Sequence, residues 1–376
     1  LILQSSSNLH AMPLYMDFHK IENLTVEAVK TAHIADVAIQ EKYGVRYHQF
    51  WVNELAGTVF CLMEGPDKES CEAVHHEAHG NIACAMSEVE PGFYEKLMGK
   101  DHKLDYGHVQ HINGTVDLGY RNILVVSVYG ITTAKNSQDL SLLLTPHWAR
   151  KLVIDKFSMF NGREIKWDID DSLIAIFNDS TTAVRCALQL QKELVESKIK
   201  NPAIFFKIGI SAAQPVTKEG DFFTEAIRLA HRLSNIANNN QVLISSLVKK
   251  LCKEDLLLSN NHLTKSLTHA EEDFLSKLLN TSEAKLAGQD FDLNNLSSGI
   301  CISRPQLYRK ITALTGRSPH HFMLDLRMDK ALALLTQKNN NIAEIAYQTG
   351  FNSPSYFTKC FTEKFGCTPS HFAKSM

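Results

Sequence analysis

Residues 342–372 read IAEIAYQTGFNSPSYFTKCFTEKFGCTPSHF, and this stretch decides how the C-terminal end of the chain folds. A short helix is expected to end at Gly350, with a tight turn after it and Ser353–Pro354 as the cap and first turn of a second helix. Phe357, Phe361 and Phe365 recur at i, i+4 and i+8, so they form that helix's buried face. Asn352, Ser355, Tyr356, Lys359, Thr362 and Lys364 are left outside. This spacing predicts a helix-turn-helix whose second helix can lie in a major groove.

The same logic occurs earlier, in FDLNNLSSGICISRPQLYRKITALTGRSPHHF at 291–322. Ser303 is expected to cap a helix whose Leu307, Ile311 and Leu314 face inward. Arg304, Gln306, Tyr308, Arg309 and Lys310 stay outside. The amphipathic segment FMLDLRMDKALALLTQ joins the two units. In the spacing of these units, and in the words SRPQLYRKI, LTGRSP, I-x-E-I-A and GF-x-S-x-S-x-F, residues 290–376 resemble the AraC/XylS transcription regulators. The resemblance implies that both second helices enter successive major-groove segments of double-stranded DNA. Arg304, Gln306, Arg309, Asn352, Ser355 and Lys359 are the expected DNA contacts, with Lys310 and Lys364 expected on phosphates.

Composition fits this reading. Residues 290–376 carry 10 Lys/Arg against 6 Asp/Glu, while residues 1–115 carry 8 against 16 and hold ten of the 17 histidines. A mildly basic tail attracts nucleic acid, and an acidic, His-rich head attracts metal. The eight cysteines are scattered without a C-x-x-C pair, which argues against a zinc ribbon or a disulfide framework and fits a reducing compartment. The opening LILQSSSNLHAM lacks a basic n-region, and no apolar run approaches the roughly 20 residues of a membrane helix, so a cytoplasmic location is expected.

Residues 120–252 alternate apolar strands (ILVVSVYG, SLIAIF, FFKIGISAA, QVLIS) with helices, an α/β pattern. Their order resembles a class III nucleotide cyclase domain. That family uses two aspartates to hold two divalent cations. The first falls at Ser127, which is no substitute for a hard-cation carboxylate; the second falls at Asp170 or Asp171. The family's N-x-x-x-R pair falls at Arg228 and Arg232, so the asparagine is lost. Lys166 and Asp221 match its purine-recognising positions. The resemblance therefore implies a domain without cyclase activity. It leaves two readings open: nucleotide binding through Lys166, Asp221 and Arg232, or a scaffold that binds nothing.

The head, 12–90, reads strand–helix–strand–strand–helix–strand, the ferredoxin-like order. Its second helix contains AVHHEAHG at 73–80. His75 and His79 share a helix face, whereas His76 and Glu77 point elsewhere. H-H-E-A-H is not H-E-x-x-H, which excludes the zinc-protease pattern. On the first helix, His33 and Asp36 also share a face, and His48 lies on a strand. Imidazoles with carboxylate oxygens suit nickel, zinc or copper(II); partly buried, hydrogen-bonded histidines are the other reading. AH-x-x-D, KYGVRY, VFCL-x-E-x-P and VH-x-EAHG resemble a family of small ferredoxin-like proteins, one branch of which binds nickel as a homodimer. His33, Asp36, His48, His75 and His79 are the candidate ligands.

The expected whole is a multidomain, homodimeric regulator responding to a metal or small-molecule effector. It has an α+β ferredoxin-like head (12–90), a linker (91–119), an α/β cyclase-like middle (120–252), a connector (253–289) and an all-α double helix-turn-helix tail (290–376). The rival reading is a metal-regulated nucleotide cyclase tethered to DNA.

Overall fold

The computed structural model describes residues 12–130, 147–166, 172–198, 204–217, 221–252, 264–285, 292–336 and 341–375. The chain divides into two compact units: Leu1–Arg121 with Ala212–Ile227, and Asn122–Ser211 with Arg228–Met376.

The first unit begins β1 (Leu14–Lys20), α1 (Val26–Ile39), β2 (Arg46–Asn53), β3 (Thr58–Glu64), α2 (Lys68–Ala78) and β4 (Ala85–Val89). β1 pairs antiparallel with β3 and β4, and β2 antiparallel with β3, giving the order β4-β1-β3-β2. This is the ferredoxin-like arrangement expected from sequence. Tyr15, Val29, Tyr47, Phe50, Val59, Met63 and Val74 form the core between sheet and helices.

Residues 91–119 are not the irregular linker their turn-rich sequence suggests. They form α3 (Pro91–Met98), β5 (Lys103–Asp105) and β6 (His108–Gln110), and β6 and β5 extend the sheet beyond β2. A buried ion pair holds this addition in place. Both terminal nitrogens of the Arg121 guanidinium donate to Asp117 (3.0 and 2.8 Å), and Nη2 also donates to the Met98 carbonyl. Trp51 Nε1 donates to the same carboxylate. Burial disfavours the Asp117 charge, but Arg121 outweighs it and holds the pKa below the usual carboxylate range.

The second unit is built on β7 (Arg121–Gly130), α4 (His147–Met159), β8 (Arg163–Ile165), β9 (Leu173–Phe177), α5 (Ser180–Lys198) and β10 (Ile204–Ala213). It continues with α6 (Thr224–Ile236), β11 (Gln241–Ile244), α7 (Ser246–Leu251), β12 (Thr264–Ser266) and α8 (His269–Lys285). The strand order is β12-β11-β10-β7-β9-β8, with parallel pairs around β11 and antiparallel pairs around β9. α6 lies close on β10, because a Cβ on Gly209 would stand 2.1 Å from the Ala230 carbonyl oxygen. Within the 253–289 segment, expected as a connector, residues 264–285 supply the edge strand β12 and the packed helix α8.

The helical tail comprises α9 (Leu293–Gly299), α10 (Arg304–Thr315), α11 (Pro319–Thr336), α12 (Ile342–Gln348), α13 (Pro354–Phe365) and α14 (Pro369–Ser375). Its two halves are held differently. Leu296, Leu307, Ile311, Leu314 and Phe322 share one core with Leu233 and Ile236 of α6, Leu243 of β11 and Leu275, Leu278 and Leu279 of α8. Met328, Leu335, Ile345, Phe357, Phe361 and Phe372 form a separate core for the second half.

Candidate metal centre and nucleic-acid interface

α1 and α2 are fixed at their starts by side-chain caps, Thr25 to the Ala28 amide and Asp67 to the Ser70 amide. The two helices pack together, which brings Asp36 of α1 to His75 and His79 of α2. His75 Nδ1 lies 3.2 Å from Asp36 Oδ1 and 3.2 Å from His79 Nε2, and His79 Nε2 lies 3.1 Å from Asp36 Oδ1. β1 contributes a second set beneath, because Asp17 and His19 share one strand face. Asp17 Oδ2 lies 2.8 Å from His75 Nε2 and 2.9 Å from His19 Nε2, while Oδ1 accepts from the Cys61 amide at 2.7 Å.

The donor atoms form two overlapping groups, Asp17–His19–Cys61–His75 and Asp36–His75–His79, each within 4.8 Å. His75 belongs to both, one ring nitrogen facing each. Metal–nitrogen and metal–oxygen bonds of about 2.1 Å put neighbouring ligand atoms about 3 Å apart, and the spacings around Asp36 match that. The lower set suits a cation less well. Asp17 is fully buried and already accepts three hydrogen bonds. The Cys61 thiol is pushed well up by burial and by the Asp17 charge, away from the thiolate a metal needs.

Electrostatics point the same way. Burial works against charge on both partners, yet His75 is raised to about 10 by its hydrogen bonds to Asp17 and Asp36. Asp17 and Asp36 are both lowered despite burial, Asp17 by His19 and His75, Asp36 by His75 and His79. Without metal the centre therefore holds a proton between two carboxylates. With Nε2 committed to Asp17, Nδ1 is the nitrogen available to a cation. This is the carboxylate–histidine arrangement that orients metal ligands.

Of the five sequence candidates, Asp36, His75 and His79 come together. His33 does not join either donor group. It lines the adjoining cavity, its ring against Phe50 and Tyr47, and Gly107 faces it so closely that a Cβ would stand 2.4 Å from Nε2. His48 is turned away. The β2–β3 register slips between Tyr47 and Gln49, and His48 is the extra residue of that bulge, 3.4 Å from Glu64. Asp17, His19 and Cys61 were missed. The available signal was the alternation in PLYMDFHK, which sets Asp17 and His19 on one face.

In the tail both predicted caps form: Ser303 accepts from the Gln306 amide and Ser353 from the Tyr356 amide. Arg304, Arg309, Asn352, Ser355 and Lys359 are exposed, as are Tyr308 and Tyr356. Gln306 is occupied differently from the expectation, since its carbonyl accepts from the Ser303 amide and closes a capping box. Lys364 is also committed elsewhere. Its Nζ lies 2.6 Å from Asp329 and 3.2 Å from Asp325 of α11. Lys310 lies 5.0 Å from the Phe274 ring centroid of α8.

The nucleotide candidates fare poorly. Arg232 donates to Asn280 and pairs with Glu283 of α8. The Asp221 carboxylate accepts from the Glu225 amide at the start of α6, and Lys166 is exposed just after β8. Ser127 Oγ bonds Ser172 Oγ (2.8 Å) and Ser234 Oγ (2.9 Å), a neutral hydroxyl cluster. Asp170 and Asp171 lie outside the described residues.

Two family models match the chain. Residues 296–375 match a helix-turn-helix domain, and residues 15–89 match the nickel responsive protein SCO4226-like family. An uncharacterized HTH-type transcriptional regulator of Escherichia coli, YidL, is 35% identical over 101 residues, 27% of this chain and 34% of that protein. The chain spans less than half the length of each of the foremost curated relatives. Among solved structures, SCO4226 from Streptomyces coelicolor is similar at 35% identity, over 20% of this chain and 94% of that one, with a TM-score of 0.20. An adenylate/guanylate cyclase/hydrolase from Silicibacter pomeroyi is similar at 24% identity, over 36% of this chain and 80% of that one, with a TM-score of 0.30. The chain thus carries an AraC-type helix-turn-helix domain and an SCO4226-like domain.

Proposed function

We propose that this chain is a sequence-specific DNA-binding transcription regulator whose head binds a divalent transition metal, nickel first among them, and thereby controls DNA binding. One observation carries the DNA reading: two capped helix-turn-helix units in tandem, each presenting an exposed polar second helix. Arg304, Arg309, Asn352, Ser355 and Lys359 are the proposed contacts. Gln306 and Lys364 are left out because other groups engage them.

Asp36, His75 Nδ1 and His79 Nε2 are the groups that would hold the metal. Bound there, it would supply a fixed positive charge and a cross-link between α1 and α2. Asp17 orients His75, and His19 helps neutralise Asp17. A homodimer in the cytoplasm is the working assembly: if one arrangement of the dimer binds metal better, metal shifts the population able to dock both tails on DNA.

The cyclase-like middle acts as a scaffold. A serine cluster around Ser127 offers no carboxylate for a hard cation, and Arg232 and Asp221 serve α8 and α6. The shared core of α6, α8 and α10 fits this role, since it joins the first recognition helix rigidly to the scaffold.

DNA-site selection on the purified chain, with nickel and with a chelator, tests the proposal. It expects one enriched motif with two half-sites about a helical turn apart, and an affinity that changes with nickel. No enriched motif would refute the DNA reading; an enriched motif indifferent to nickel would refute the metal control.

A further inference from the structure

α11 passes through both halves of the tail. Phe322 and Met323, near its start, belong to the core shared with α6, β11 and α8, while Met328, Ala331 and Leu335 belong to the second core. Among the described residues, no buried side chain belongs to both cores. Packing therefore fixes each second helix within its own half, and the match between halves falls to α11 and to polar contacts across the junction. Asp325 sits at that junction, between Met323 and Met328, and is engaged from both sides. Arg317, in the turn between α10 and α11, donates from Nη1 to Asp325 Oδ2 at 3.0 Å and from Nη2 to the Ala237 carbonyl, just beyond α6, at 3.1 Å. Lys364, near the end of α13, places Nζ 3.2 Å from Asp325 Oδ1 and 2.6 Å from Asp329, one turn along α11. Lys207 of β10 adds a positive charge that both carboxylates feel. A continuous chain of polar contacts thus runs from the scaffold through Arg317 and Asp325 to the second recognition helix.

We infer that Arg317, Asp325 and Lys364 form a clamp that holds the second recognition helix against the first, and so set the spacing between half-sites that the chain accepts. They are positioning residues, not base contacts, and their role rests on the DNA reading proposed above. Moving one half-site by a base pair turns it about 35° around the duplex axis and shifts it about 3.4 Å. A stiff pair of recognition helices cannot follow both changes, whereas a loose pair can. The side chains of Arg317, Asp325 and Lys364 are 21%, 29% and 28% exposed, so salt screens them less than it screens pairs standing free in water. Asp325 engages Arg317 through one oxygen and Lys364 through the other. Its loss breaks both links at once.

The test uses the full chain in anisotropy titrations on its selected duplex and on duplexes with one base pair inserted or removed between the half-sites. The unaltered chain is expected to lose affinity on both changed duplexes. In Arg317→Ala and in Asp325→Ala that loss should shrink about two- to fivefold, the scale of partly exposed ion pairs. Base changes inside either half-site should cost each variant what they cost the unaltered chain, which a general loosening of the fold would not preserve. Asp325→Asn, which keeps the volume but not the charge, should fall between the unaltered chain and Asp325→Ala, and it carries the test should the alanine variant not fold. An unchanged spacing penalty in all three variants would overturn the clamp while the DNA reading stands, as would an unaltered chain indifferent to spacing. If the unaltered chain selects no two-part motif, the DNA reading fails and takes the clamp with it.

Discussion

His75 stands between two carboxylates, with Nε2 2.8 Å from Asp17 Oδ2 and Nδ1 3.2 Å from Asp36 Oδ1. Because Asp17 fixes which nitrogen faces the α1–α2 side, it should matter to metal binding without touching metal. Asp17→Asn is expected to lower nickel affinity about 10- to 100-fold by calorimetry, the usual effect of losing such a partner. Equal affinity in the variant would remove Asp17 from the centre.

Acidity should act through the same ring. Burial opposes charge on His75, but Asp17 and Asp36 raise its pKa to about 10 in the folded, metal-free head. That lies above the unfolded value of about 6.5. The stability it contributes is therefore complete below about pH 6.5 and lost as pH rises through about 10. Nickel must displace the Nδ1 proton, so its apparent affinity should climb with pH across that window and uptake should release protons. Calorimetry in buffers of different ionisation enthalpy checks this, and a flat affinity from pH 6.5 to 9 would contradict it.

On the DNA side, Arg309→Ala or Lys359→Ala should each weaken specific binding by about 1–3 kcal/mol in an anisotropy titration. Lys364→Ala should act differently. With Asp325 and Asp329 as its partners, its loss should lower the melting temperature and leave sequence preference intact.

Ile311 is fully buried in the core shared by α6, α8 and α10. Ile311→Ala is expected to cost about 2–5 kcal/mol. Hydrogen exchange should then rise in α6 and β11 as well as in α10. Exchange confined to α9–α11 would mean that the first helix-turn-helix half unfolds on its own.

Manganese with ATP or GTP should yield no cyclic nucleotide. Turnover above a heat-killed control would overturn the scaffold reading of the middle segment and favour the tethered-cyclase alternative.

Local rules carried the sequence reading furthest. The Ser303 and Ser353 caps, the Phe357–Phe361–Phe365 stripe and the His75–His79 face depend on residues within a few positions, so they were legible. Alternation in β1 sets Asp17 beside His19, but the approach of Asp17 to Cys61 was not legible, because only the β1–β3 pairing brings them together. His48 was misassigned for a related reason: one inserted residue in β2 reverses the face that strand alternation would give it. The three-residue strands β5 and β6 are too short for a periodic signal, and in sequence the buried Asp117 and Arg121 beside them look like two charges facing water. Lys364 looked free because its carboxylate partners lie on α11, far back in the chain.

The shared core of the first helix-turn-helix half also limits how this protein can be cut or recombined. A fragment beginning near residue 290 would start just before Leu296 and uncover Leu307, Ile311 and Leu314, residues that here face α6, β11 and α8. Grafted onto another sensor, such a tail would carry an adhesive apolar face and tend to aggregate. The workable exchange point lies upstream of α8, and a lineage trading DNA-binding ends with its relatives would have to trade that helix, or reinvent its inner face, along with them.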